Sequence, residues 1–174
     1  IGWALHLLGD EGRNKVVEVV GVCNKGLADN YVHKDNSGED FGLGVMTFAK
    51  GQRAFVEGNY ITVGGMDDKI EIYGREGVIK VDLTFGSPID VYSRPGYSYA
   101  IEKADNTLGW TKPAVDEFYN LGYVDELAHA VECVRQKREP MYGCSGRMGA
   151  ACVEIIEAMY ESSRTGRVVR GEWG

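Results

Sequence analysis

The chain has 174 residues and 44% hydrophobic content, enough for one globular domain with a real core, or for one domain plus an appendage. Its formal net charge of −7 leaves no basic stripe to neutralise phosphates, which excludes a nucleic-acid binder. There is no signal-peptide pattern and no apolar run of the roughly 18 residues that a membrane helix needs, so nothing in the sequence places the chain in or across a membrane.

The opening IGWALHLLG puts Trp3, Leu7 and Leu8 on one side, with Ala4 and Leu5 adjacent and Gly9 as a C-terminal cap. It reads as the last turns of a helix whose beginning is missing, and the absent methionine fits a segment of a longer chain. From about Asn14 to Glu102 the pattern changes to period two. KVVEVVGVCN is Val-rich, and GLGVMTFAKGQRAFVEGNYITV reads as two strands joined at Lys50-Gly51. In DKIEIYGREGVIKVDLTFG, Ile70 and Ile72 alternate with charged residues, Gly74 to Gly77 turn, and Ile79, Val81 and Leu83 alternate again. PIDVYS and YSYAIE add two short candidates. Short strands on tight turns predict one antiparallel sheet of roughly six or seven strands, with one face buried and the other polar or available to a partner.

DNTLGWTKPAVDEFYNLGY has no steady period and reads as a connection anchored by Trp110, of a composition that often contributes to sites. LGYVDELAHAVECVRQKREPMYG follows as a helix entered at Gly122-Tyr123 and stopped at Glu139-Pro140, with Leu127, Val131 and Val134 as its core stripe. Its basic end, Arg135 to Arg138, suits the helix dipole. In GCSGRMGAACVEIIEAMYESSRTG the stripe is Met148, Ala151, Cys152, Ile155, Ile156, Met159 and Tyr160, with Ser145 capping the start and Gly166 the end. The expected class is α+β: a largely antiparallel open sheet with helices packed on one face, and residues 1–174 forming a single domain.

The residues alone supply no reaction centre. GLGVMTF lacks the third glycine of a dinucleotide loop and leads into a strand, while GCSGRMG and GREG lack the Gly-Lys-Ser/Thr of a Walker loop. No Gly-x-Ser-x-Gly elbow occurs. His6, His33 and His129 do not pair at helical ligand spacing, so no metal site is expected, and His129 reads as packing. Cys23, Cys133, Cys144 and Cys152 form no Cys-x-x-Cys and read as buried reduced thiols of a cytoplasmic protein. The acids Asp67, Asp68, Glu71 and Asp82 read as solvated strand faces.

Taken in order, the motifs resemble the C-terminal domain of the glucose–fructose oxidoreductase/inositol dehydrogenase (Gfo/Idh/MocA) family. IGWALHLLGD is similar to the end of the family helix that starts with Asp-x-Gly-x-His-x-x-Asp. SGEDFGLGVMTFAKGQRAFVEGN is similar to its Glu-Asp step and strand–Lys/Asn-Gly–strand hairpin, and DKIEIYGREGVIKVD to its Gly-x-x-Gly hairpin. Gly122-Tyr123-x-x-Glu126 and the closing Ser-x-x-x-Gly-Arg-x-Val complete the set.

The resemblance implies an NAD(P)-dependent oxidoreductase acting on a sugar or polyol, with an N-terminal Rossmann domain for the cofactor. It implies a C-terminal α+β domain that lines the substrate site and pairs with another subunit through its open sheet, as a homo-oligomer. The Rossmann half and its Glu-Lys-Pro lysine are absent from this chain; Glu102-Lys103-Ala104 and Thr111-Lys112-Pro113 are only superficially similar. The family's histidine would fall two residues before Ile1, and Gly2 stands in place of its second aspartate. No catalytic residue, cofactor or metal is therefore expected in this chain itself.

Four residues carry over as substrate contacts: Tyr123 from the Gly-Tyr-x-x-Glu step, Met66 and Asp67 ahead of DKIEIYG, and Trp110 as a stacking wall. Glu126 is expected to fix the helix start. The competing reading is a stand-alone, non-enzymatic sheet domain for small-ligand binding or self-association.

Overall fold

The computed structural model describes residues 1–25, 38–61, 67–82, 91–97, 106–111 and 122–174. They divide between two units, Ile1–Val63 with Arg135–Gly174, and Gly64–Val134. The first unit holds helix α1 (Gly2–Leu8), strands β1 (Val16–Asn24), β2 (Phe41–Phe48) and β3 (Arg53–Asn59), helix α3 (Gly146–Thr165) and strand β8 (Val169–Trp173). The second holds β4 (Lys69–Tyr73), β5 (Val78–Asp82), β6 (Val91–Ser93) and β7 (Gly109–Thr111), together with most of helix α2 (Tyr123–Gln136).

In the first unit the strands form an antiparallel sheet in the order β3-β2-β1-β8. The β2–β3 hairpin turns at Lys50-Gly51 as predicted, and Gly51 takes the left-handed φ of +91° that this turn requires. Met46 and Phe48 enter the core under α3 by alternation, and Val16 and Val19 join them because the register of β1 shifts between Val16 and Glu18; there they meet Leu5, Ala151, Ile155 and Met159. Ser145 accepts a hydrogen bond from the Met148 amide at 3.2 Å, and Gly166 ends the helix at φ +65°. The buried seam of α3 is narrower than its apolar pattern predicts. It runs through Ala151, Ile155, Ala158, Met159 and Ser162, while Ile156 is exposed.

Helix α3 comes close to the sheet at one point. A Cβ on Gly21 would lie 2.4 Å from the Met159 carbonyl oxygen and 2.6 Å from its Cα, so the strand touches helix backbone there. The registered pairing of β8 with β1 runs only as far as Val19. Beyond it the helix supplies the partners: Ser162 Oγ accepts from the Gly21 amide at 3.0 Å, and Ser163 Oγ from the Cys23 amide at 2.9 Å. Ser162 in turn donates to the Arg167 carbonyl at 2.7 Å, bracing the turn into β8. A second clasp is the buried Asn14. Its Nδ2 donates to the Leu8 carbonyl at 2.7 Å and to Gln52 at 3.1 Å, while its Oδ1 accepts from the Lys50 amide at 3.0 Å.

In the second unit, β4 and β5 pair with Ile70 opposite Val81 and Ile72 opposite Ile79, so the predicted alternation holds, and β6 pairs with β7. Four expectations change. The described strands form sheets of four, two and two rather than one sheet, because periodicity specifies hairpins and not which hairpins align edge to edge. The predicted stripe of α2 is exposed at Leu127, Val131 and Val134, and Cys133 is the one buried residue of that helix; a helical period marks the apolar side without naming its cover. Trp110 is a strand residue, 75% exposed, not a buried anchor. All four cysteines are free thiols, but only Cys133 is buried: Cys23 and Cys152 are half-buried, and Cys144 is exposed because it sits in the 3-10 turn Tyr142–Cys144 ahead of α3.

The close approach at Gly21 generates a comparison. Gly21→Ala should destabilise the chain by about 2–3 kcal/mol, since helix backbone must move. Gly44→Ala should cost about 1 kcal/mol, because the obstacle there, 2.6 Å away, is the flexible Met159 Cε. Urea denaturation of the two variants ranks them, and equal losses would contradict the backbone contact.

A second test concerns Tyr160, whose hydroxyl donates to Glu39 Oε1. That bond, ahead of a backbone hydrogen bond, holds the Glu39 carboxyl below its usual range, and it pushes the Tyr160 phenol up to about 12. Tyr160→Phe should therefore destabilise at neutral pH. The gap from the parent should close as pH falls and Glu39 protonates, and again as pH rises from about 10, the ordinary phenol value, through about 12. Thermal denaturation across pH shows whether the gap has this window; a gap constant with pH would exclude it.

Candidate functional site

The expected substrate-contacting side chains all belong to the second unit. Met66 lies outside the described residues. Asp67 stands exposed just ahead of β4, its carboxylate 2.7 Å from Lys69 Nζ. That hydrogen bond, with the Asp67 charge behind it, pushes the Lys69 ammonium up. Both groups are in solvent, so the pair orients Asp67 weakly, and its carboxylate keeps capacity to accept hydroxyl protons. Farther along the same face, Tyr73 donates to Glu71 at 2.6 Å and Lys80 pairs with it at 3.0 Å; together they hold the Glu71 carboxyl below its usual range. These exposed neighbours make a hydrated polar strand face, as the alternation predicts.

Tyr123 is the first residue of α2 and is exposed. Gly122, at φ +81°, makes the sharp entry, and its carbonyl accepts from the Glu126 amide at 2.9 Å. Asp125 and Glu126 occupy the first turn, where carboxylates meet the positive end of the helix dipole. This setting supports Glu126 as a residue of the helix start and leaves the Tyr123 phenol on the surface.

Trp110 has a ring partner that sequence reasoning missed. Tyr92 of β6 lies directly opposite it across the strand pair, with ring centroids 5.3 Å apart and planes inclined at 57°. Both rings are exposed. Cross-strand pairing of residues so far apart in the chain leaves no local signal; only the Tyr in PIDVYS hinted at an outward position. The structure thus joins Trp110 to Tyr92 and Asp67 to Lys69, and sets Tyr123 at the head of its own helix.

These groups offer acceptors, ring faces and phenol donors, which suit hydroxyl-rich ligands. No group of three or more His, Cys, Asp and Glu side chains that could hold a metal ion occurs among the described residues. His129 and Cys133, one turn apart on α2 with Nε2 and Sγ 3.5 Å apart, are a local pair.

A dinucleotide fits this chain poorly. The groove beside α3 and β8, about 940 Å³, is bordered by Glu154, Glu157 and Glu161 against one cation, Arg164, and this acidic excess disfavours a pyrophosphate. The first turn of α2 is acidic, and that of α3 is already capped by Ser145. No glycine-rich strand-to-helix loop cradles phosphate among the described residues. No helix among the described residues is long and apolar enough to cross a membrane.

The comparisons with known proteins agree with this architecture. No curated protein matches the chain at a significant level. Among solved structures, the chain is similar to GenD2 from gentamicin A biosynthesis in complex with NAD, at 25% identity and a TM-score of 0.77, over 92% of this chain and 43% of that one. It shares its fold with myo-inositol 2-dehydrogenase from Lactobacillus plantarum, at 17% identity and a TM-score of 0.66, over 91% and 43% of the two chains. The scyllo-inositol dehydrogenase from Lactobacillus casei with bound NAD(H) and scyllo-inositol matches at 12% identity and a TM-score of 0.59, over 91% and 43%. The chain thus spans less than half the length of each of these relatives. Residues 4–170 match the Gfo/Idh/MocA family model described as "Oxidoreductase family, C-terminal alpha/beta domain". With that match over nearly its whole length, on an α+β frame of antiparallel strands, the chain belongs to the Gfo/Idh/MocA oxidoreductase family, to the C-terminal α/β domain of these enzymes.

Proposed function

We propose that residues 1–174 are the substrate-binding and self-association domain of an NAD(P)-dependent dehydrogenase that oxidises a CH–OH group of a sugar or polyol in the cytoplasm. The observation that carries this reading is the family match over residues 4–170. NAD in the GenD2 structure and NAD(H) with scyllo-inositol in the Lactobacillus casei enzyme support the cofactor and ligand classes. The four free thiols fit a reducing compartment. The nicotinamide, when bound by the rest of such an enzyme, supplies hydride acceptance. This chain's residues bind and orient: Asp67 accepts hydroxyl protons, Trp110 stacks on the ring, the Tyr123 phenol donates, and Met66, next to Asp67 in the chain, is carried as a further contact.

Self-association rests on the sheet face opposite α3. There Phe55, Val45 and Val20 lie side by side across three strands, and Leu43 pairs with Val22 in the next row. Phe55 is 63% exposed, and Val20 and Val22 are exposed beside it. Such a contiguous apolar row on an open sheet fits an isologous contact with a second copy. The same face also favours the second reading, a stand-alone sheet domain that associates without enzymatic partners. A gene encoding no upstream cofactor-binding domain would select that second reading.

Two measurements check the proposal. The chain should bind myo-inositol in a calorimetric or NMR titration, and Trp110→Ala should weaken that binding about tenfold; unchanged affinity would remove Trp110 from the site. In sedimentation equilibrium the chain should self-associate, and Phe55→Glu should raise the dissociation constant at least about tenfold at unchanged thermal stability. A monomeric parent chain would discard the interface.

A further inference from the structure

We propose that Tyr92 and Trp110 form a stereochemical reader for a cyclic polyol. The corner between the two rings accepts a ligand ring whose face carries only axial C–H bonds, and excludes one whose faces are interrupted by axial hydroxyls. This deepens the reading of Trp110 as a substrate contact and rests on it.

The geometry comes from the β6–β7 pairing. Tyr92 and Trp110 oppose each other, so the period of two puts both rings on one side and Val91, Ser93, Gly109 and Thr111 on the other. At 5.3 Å and 57° the rings make an open corner, with the more exposed indole as floor and the phenol ring as wall. Gly109 adds no side chain, and the space beside its Cα is open.

The corner is braced by polar contacts of the neighbouring residues. Thr111 Oγ1 and the Tyr97 hydroxyl lie 2.7 Å apart, and Ser93 Oγ donates to the Gly96 carbonyl at 2.9 Å. Thr107 Oγ1 accepts from the Tyr97 amide at 2.8 Å and donates to its carbonyl at 3.0 Å. The strands carrying the rings are therefore tied together before a ligand arrives, which favours selectivity.

The occupant follows from the polar atoms. Neither the Tyr92 hydroxyl nor the Trp110 indole N–H donates to any described residue. Two ring faces with a phenol and an indole donor at their rims match a polyol, whose C–H bonds are polarised by their hydroxyls and whose equatorial oxygens point outward to accept. An axial hydroxyl directed at the indole would lift the ring and lose its water without gaining a partner.

Inositol stereoisomers test this on the 174-residue chain with ¹⁵N-labelled tryptophan. Trp3 and Trp173 serve as internal references, and Trp110→Phe assigns the Trp110 signal. In scyllo-inositol every hydroxyl is equatorial and both faces are clear, whereas chiro-inositol carries an axial hydroxyl on each face. The Trp110 signal should report scyllo-inositol binding about tenfold tighter than chiro-inositol. Tyr92→Ala should bring that ratio close to one. Tyr92→Phe should keep the discrimination while weakening both ligands about threefold, through loss of the rim donor.

Binding with no preference, or a preference unchanged in Tyr92→Ala, would overturn the reader and leave Trp110 as a contact. Shifts confined to Trp3 or Trp173 would overturn it as well. Trp110 shifts that follow protein concentration and not the inositol would assign the corner to a second copy of the chain instead. Absence of any inositol effect on the chain would remove the substrate-binding reading itself, an outcome distinct from the others.

Discussion

The contact between Gly21 and the backbone of Met159 sets the geometry of the first unit. A helix can approach a strand this closely only where no Cβ intervenes. The approach in turn lets helix hydroxyls reach strand amides that β8 does not pair. A buried amide without a partner costs about 1–3 kcal/mol, so Ser162 and Ser163 take the place of a longer edge strand. The closing motif Ser-x-x-x-Gly-Arg-x-Val then acts as one device. Ser162 accepts from Gly21 and holds the Arg167 carbonyl, Gly166 turns through the left-handed region, and Val169 arrives opposite Val19.

With one sheet face closed by α3, the other is left with the row Phe55–Val45–Val20. The apolar residues there follow from strand alternation, and their exposure follows from the single helix layer. Asn14 secures the opposite end of the same core by joining α1 to the β2–β3 turn through its amide. The first unit is thus scaffold and open face. The second carries the candidate polyol-binding side chains on two strand pairs and a helix start.

Chemically those side chains divide sharply from catalysis. A carboxylate, two phenols and an indole can hold and orient hydroxyls, and orientation is itself a large part of an enzyme's advantage. None is arranged as a nucleophile with its base, and the groove by α3 carries more acid than base.

Much of this was legible in the residues. The Lys50-Gly51 turn, the alternation around Ile70 and Ile72, the Ser145 and Gly166 caps and the acidic first turn of α2 are local, and each formed where its pattern lay. The motif order named the family, because spacing along the chain records a succession of such local units. Three features depended on the folded chain: the cover of each apolar stripe, which α3 found and the described α2 stripe did not; the pairing of Tyr92 with Trp110; and the serine bonds to β1. The sequence by itself determined which residues lie on a common side of each helix or strand, since that follows from bond geometry within a few residues. Tertiary structure alone decided which sides meet, since that depends on distances between segments far apart in the chain, which no local period encodes.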